Sequence, residues 1–240
     1  MTSHSRARPW WLAAALFGLA TLAFGAWFSG IIPATGCLLP PRSGVSALLA
    51  YQMARTPADI EAVFGKEGDV CRAGMVAALD RANRLDLMAF IGTYGLFLAA
   101  FLMAMIRDGG ERAARVGLFL LIAGIGFDVL ETSTQLRITR ELPGSQPNLL
   151  ALAIGSFGKY TMLALVGVFA GLAMLARGGS MGRIAGVLCI AGALASLAGL
   201  VDARAIGLLT IGTALSWLVM LAYAVAAALS AGREREIRLR

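Results

Sequence analysis

The stretch VGLFLLIAGIGFDVLETSTQL, residues 116–136, decides how this chain folds. From Val116 to Phe127 it has no polar side chain, and from Asp128 onward it turns polar without a glycine or proline to end it. At about 1.5 Å per residue it is about 30 Å long as a helix, the thickness of a bilayer's hydrocarbon core.

The same apolar pattern recurs on both sides. Upstream lie Trp10 to Ile32 and about Leu85 to Ile106; downstream lie about Leu149 to Ala176, Ile184 to Val201 and Ala205 to Leu229. Of the 240 residues, 58% are hydrophobic and 15% charged, and the mean hydropathy is +0.76. A soluble domain carries roughly a quarter charged residues. The expected fold is therefore all-α: a single polytopic membrane domain over 1–240, a bundle of about six transmembrane helices, with a small helical extracytoplasmic loop over 33–84.

The first run carries Trp10 and Trp11 at one end and Trp27 and Phe28 at the other, as the aromatic belts of a spanning helix do. A cleaved signal peptide is the rival reading. Its apolar part is usually about 7 to 15 residues, shorter than this run, and no convincing small-residue cleavage site precedes Pro33. Ala34-Thr35-Gly36-Cys37 resembles a lipoprotein cleavage site only faintly, with alanine in place of a large aliphatic residue.

The net charge of +7 is distributed as short arginine clusters between apolar runs, not as a basic patch interleaved with aromatics, so nucleic acid is not an expected partner. Arginine counting sets the orientation. With both termini cytoplasmic, Arg6, Arg8, Arg107, Arg112, Arg115, Arg177, Arg183 and the tail Arg233, Arg235, Arg238 and Arg240 lie inside, against Arg137, Arg140 and Arg204 in the two short outer loops; the long 33–84 loop is left out because long loops weigh little in this rule. Arginine far outnumbers lysine, and with abundant Ala, Gly and Leu this suggests a bacterial inner membrane protein.

The 33–84 segment reads as folded. Ser43 is expected to cap a short helix through Arg55. Thr56-Pro57 gives an N-cap and a proline at the first helical position, with Asp59 and Glu61 in the opening turn and Gly65 as a stop. Asp69 is expected to open a third helix that runs unbroken into the second span. Cys37 and Cys71 fall in this loop, on the oxidising side of such a membrane, and are expected to form a disulfide. Cys189, alone in the fifth span, reads as a small buried apolar residue.

Within the spans, ionisable residues are rare, and each is a functional candidate by default. Asp128 and Glu131 are three apart on the third helix and share a face; Lys159 is on the fourth. Asp128 lies about 18 Å from the inner end of its span and Lys159 about 15 Å from the outer end of its own, so antiparallel helices bring them to nearly one level. Thr132, Ser133, Thr134 and Gln135 extend the cluster along the third helix; Ser156 and Tyr160 flank Lys159; Asp86 and Tyr94 on the second helix are expected to join it. One reading is a buried ion pair that fixes helix packing. The other is a site for a proton, an ion or a ligand headgroup: two carboxylates face one lysine, and an unmatched carboxylate keeps its proton as a proton carrier does.

The only histidine is His4, which removes bis-histidine haem ligation, zinc peptidase chemistry and a serine–histidine couple. No phosphate-binding glycine loop lies in a strand–helix setting. No cofactor or metal is expected, and no catalytic set stands out. A hydrolase would have to use the carboxylates or a Ser156–Lys159 pair. Small-residue pairs Gly167/Gly171 and Gly182/Gly186 are spaced for close helix contact. Three functional readings follow. The first is binding or transport of a small molecule or proton through the Asp/Glu/Lys cluster. The second is a non-enzymatic accessory subunit that docks a partner membrane subunit through its outer loop. The third and least supported is an enzyme acting on lipid. The bilayer is the one certain partner.

Overall fold

A computed structural model describes residues 3–38, 45–109 and 111–239, without the side chains of residues 3–6, 29, 111 and 231–239. Ser43, His4, Arg6 and the tail arginines therefore lie outside the described side chains. The helices are α1 (Ser3–Ile31), α2 (Ala47–Gln52), α3 (Pro57–Phe64), α4 (Arg72–Leu85), α5 (Ile91–Arg107), α6 (Glu111–Ile138), α7 (Gln146–Arg177), α8 (Gly179–Val201) and α9 (Gly207–Leu239). A π-helical turn, Asp86–Phe90, joins α4 to α5, and a 3-10 turn, Ala203–Ala205, joins α8 to α9. No strand occurs among the described residues.

Six of these helical stretches are long and apolar enough to span a membrane: Ala7–Phe28, Arg72–Arg107, Arg112–Ile138, Gln146–Arg177, Gly179–Val201 and Gly207–Ser230. Their outward faces are apolar, with Phe119 80% and Ile184 63% exposed, as suits helices solvated by lipid and not by water. The protein is a multi-pass, all-α membrane protein.

The chain divides into two compact units. One contains the residues up to Thr21, Thr93–Gly124 and those from Tyr160 on; the other contains Leu22–Gly92 and Ile125–Lys159.

In the first unit, glycines let helices touch along their backbones. A Cβ on Gly171 would lie 2.8 Å from the carbonyl oxygen of Gly186, and one on Gly186 would lie 2.7 Å from that of Gly171. The small-residue spacing read from the sequence is therefore a real α7–α8 contact. Ser196 and Thr213 share a hydrogen bond of 3.0 Å between α8 and α9. Cys189 is fully buried against Gly167 and Ser216, as expected for a small core residue.

The second unit contains the folded loop. Tyr51, Ile60, Val63, Phe64, Met75 and Leu79 form a core with Ile138, Leu149 and Leu152. Tyr51 meets Phe64 edge-on at 4.8 Å. Thr56 and Asp59 make a capping box at the start of α3, with Pro57 in the first turn and Gly65 (φ +79°) at its end, as the sequence indicates. Gly36 lies directly on α3: a Cβ there would be 2.7 Å from the Val63 Cα. That close approach carries hydrogen bonds from the Cys37 and Leu38 N–H groups to the Val63 and Ala62 carbonyls, and leads into the Cys37–Cys71 disulfide.

Two local expectations are corrected. The first loop helix begins at Ala47, capped by Ser46, whose hydroxyl accepts from the Leu49 N–H at 3.2 Å, and it ends at Gln52 before Arg55. Asp69 does not cap α4. Its carboxylate accepts the Lys66 N–H at 2.7 Å and so closes the turn after Gly65, while Cys71 holds the N-cap position without a side-chain bond. α4 does continue into the second span, through the π turn.

Candidate functional site

The candidate site is built in the second unit, where α6 and α7 run antiparallel. Two glycines set their separation. A Cβ on Gly155 would lie 2.8 Å from the Glu131 backbone nitrogen, and one on Gly158 would lie 2.5 Å from the Phe127 ring. With no side chain at either position, the α7 backbone rests on α6 and the next polar residue, Lys159, reaches its partners. Its Nζ lies 2.6 Å from Glu131 Oε2 and 3.2 Å from Asp128 Oδ1. Glu131 is 0% exposed, Asp128 4% and Lys159 6%.

Asp86 enters from the π turn, in which the Ile91 N–H bonds the Asp86 carbonyl five residues back. Such turns often mark functional positions, because the extra residue re-aims the side chains around it. The Thr132 hydroxyl donates to Asp86 Oδ2 at 2.9 Å. Asp86 thereby comes within electrostatic reach of Asp128, Lys159 and Glu131. Arg55, half-buried between α2 and α3, acts on Glu131 from the loop. Its guanidinium is steadied by the carbonyls of Gln52 (3.1 Å) and Ala54 (2.8 Å).

The site therefore gathers Asp86, Asp128 and Glu131 against Lys159 and the more distant Arg55. Three ionised carboxylates would outnumber the cations even with Arg55 counted in full. Uncompensated charge in a low-dielectric interior costs several kcal/mol. Among the described residues, no His, Cys, Asp and Glu side chains converge as metal ligands.

Ser156 makes no nucleophile–base geometry with Lys159. Its hydroxyl lies 2.6 Å from the Gln52 carbonyl oxygen and 2.8 Å from that of Leu152, so it joins α7 to the loop. Tyr94 and Tyr160 belong to the other unit, where the Tyr94 ring lies 5.2 Å from that of Trp217.

A second charged cluster, absent from the sequence reading, lies in the first unit. Asp108, whose side chain is 1% exposed, pairs with Arg177 at 2.6 Å. Arg177 also donates to the Tyr223 hydroxyl at 3.1 Å and stands 5.7 Å from the Trp11 and Tyr223 ring centres. A planar cation stacked on aromatics and paired with a carboxylate is a rigid helix-end clamp. No family model, curated protein or solved structure matches this chain.

Proposed function

We propose that this is a proton-binding protein of a bacterial cytoplasmic membrane, with both termini cytoplasmic, in which the Asp86/Asp128/Glu131/Lys159 cluster holds an exchangeable proton coupled to the binding or transport of a small molecule. The observation that carries this reading is the charge imbalance: two carboxylates contact one buried lysine, and a third lies within electrostatic reach. A pair kept only for packing needs one partner for the lysine. A surplus carboxylate at membrane depth is the working part of a proton relay. The orientation rests on the arginine asymmetry between loops.

Infrared titration of the protein in lipid nanodiscs tests this. A C=O band of a protonated carboxyl should respond to pH in the wild type. It should vanish in the folded triple variant Asp86→Asn, Asp128→Asn, Glu131→Gln. No band distinguishing the two proteins at any pH would overturn the reading.

The accessory-subunit reading has one observation in its favour. The loop is folded, pinned by a disulfide and packed in one core with Ile138, Leu149 and Leu152, and it presents Lys66, Glu67 and Val70 to its surroundings. On that reading Glu131→Gln leaves cellular function intact and only lowers stability.

A further inference from the structure

Two buried side-chain amides remain once the charged cluster is described. Asn83 on α4 is 2% exposed and Gln135 on α6 is 1% exposed, and neither the Asn83 Nδ2 nor the Gln135 Nε2 has a hydrogen-bond partner. Leaving such donors unpaired is unfavourable, so their placement calls for a reason.

Their register supplies one. α6 is cross-linked twice to α4 and the π turn that continues it: the Thr139 hydroxyl bonds Asp80 of α4 at 2.6 Å, and the Thr132 hydroxyl bonds Asp86 of the π turn at 2.9 Å. Asn83 lies midway between Asp80 and Asp86 on its helix, and Gln135 midway between Thr132 and Thr139 on its own. Both amides therefore occupy the level between the cross-links. The result is a polar ladder from Asp80, which is partly exposed, through the buried amides, to Asp86 and Thr132, and on to Glu131. Glu131 Oε1 is likewise buried and without a hydrogen bond. The charged groups acting on the inner end are Lys159, Asp128 and Arg55. In the other direction along α6, Val116 to Phe127 offer no polar side chain.

We propose that Asn83 and Gln135 line the route by which protons reach the carboxylate cluster, entering from Asp80 and Thr139 at the loop-bearing end of α4 and α6. The unpaired amide N–H groups hold water molecules in a file. A proton passes along that file and an O–H bond forms at a cluster carboxylate; on release the O–H bond breaks and the proton returns to water. The amides act as positioning groups and do not themselves titrate. This rests on the proton-binding reading above, and the test separates the two.

The probe is D2O. On rapid transfer of nanodisc-embedded protein into D2O, the cluster's carboxyl band shifts as O–H becomes O–D, and the rate of that shift reports access. Gln135→Leu and Asn83→Leu should leave the equilibrium pH titration of the band in place and slow the shift by about tenfold. That is the rate change expected when about one hydrogen bond is lost from the barrier. Gln135→Ser, polar and smaller, should retain the fast shift. Unchanged exchange in both leucine variants would overturn the route while leaving the proton site standing. Absence of any titrating band in the wild type would instead overturn the proton site. If the leucine variants do not fold, Gln135→Cys in a Cys189→Ala background serves. Modification by a small water-soluble thiol reagent well above that of a Leu121→Cys control supports the route, and equal rates overturn it.

Discussion

Lys159 is closer to Glu131 than to Asp128: its Nζ lies 2.6 Å from Glu131 Oε2 and 3.2 Å from Asp128 Oδ1, and Glu131 is the more completely buried carboxylate. The lysine's principal partner is therefore the residue one helical turn beyond the first intramembrane charge. Lys159→Met strands buried carboxylates and should cost about 3–5 kcal/mol. Adding Glu131→Gln to Lys159→Met should restore more stability than adding Asp128→Asn. Melting of the single and double variants in one detergent closes the cycle. Equal recovery from the two partners, or none from either, contradicts the assigned pairing.

The pairing depends on a residue with no side chain. A methyl group on Gly155 would lie 2.8 Å from the Glu131 backbone nitrogen, and backbone cannot yield as a flexible side chain does. Gly155→Ala should destabilise by about 1–3 kcal/mol, the usual cost of overpacking. It should also widen the α6–α7 contact that brings Lys159 to its partners. Gly74→Ala is the control: nothing lies within 4 Å of its added carbon. In the first turn of α4 it should be neutral or stabilising, by up to about 1 kcal/mol. Similar losses in the two variants would mean that Gly155 acts through backbone flexibility and not through contact.

These two relationships mark how far the sequence could be read. The spans were legible because hydrocarbon thickness and helical rise turn a run of apolar residues into a length. The common level of Asp128, Glu131 and Lys159 was legible by the same arithmetic. The place of Asp86 was only partly so: a π turn is a local backbone choice, and nothing in Asp86–Phe90 announces it. Gly155 and Gly158 could not be told apart from the other glycines, since what distinguishes them is the neighbour they touch. Asp108 and Arg177 each read as ordinary loop charges near a span end. Only the tertiary fold shows them paired beside Trp11 and Tyr223.

The loop's response to acid follows from Asp59. Burial alone would raise its pKa. The N–H groups of Arg55 and Thr56, the Thr56 hydroxyl and the Arg55 charge outweigh that and hold it below the usual carboxylate value. A depressed folded-state pKa gives stability that is present above the unfolded value of about 3.9 and is lost as pH falls through the folded value. Hydrogen exchange of α3 amides should therefore quicken as pH drops below about 4, relative to intrinsic rates. Asp59→Asn should flatten that dependence and leave α3 less protected at neutral pH. An acid response unaltered by the substitution would assign it to another group.

The Cys37–Cys71 bond closes a loop with a sequence separation of 34 and joins the chain entering α3's flank to the start of α4. The segments it ties carry the core formed by Val63, Phe64 and Met75 against Leu149 and Leu152, and Ser156 of the same unit bonds the Gln52 carbonyl. Cross-linking a loop of this size restrains the unfolded chain by about 3–4 kcal/mol. Denatured without reductant, the protein should take up one label, at Cys189; denatured after reduction it should take up three, and the reduced protein should melt at lower temperature. The double variant Cys37→Ser, Cys71→Ser should show the same loss of stability and no further loss on reduction. Because α2 carries the Gln52 carbonyl and its neighbour Arg55, loosening the loop should also alter the pH response of the carboxylate cluster. A cluster titration identical in the reduced and oxidised protein would show that the loop stabilises the fold without tuning the site.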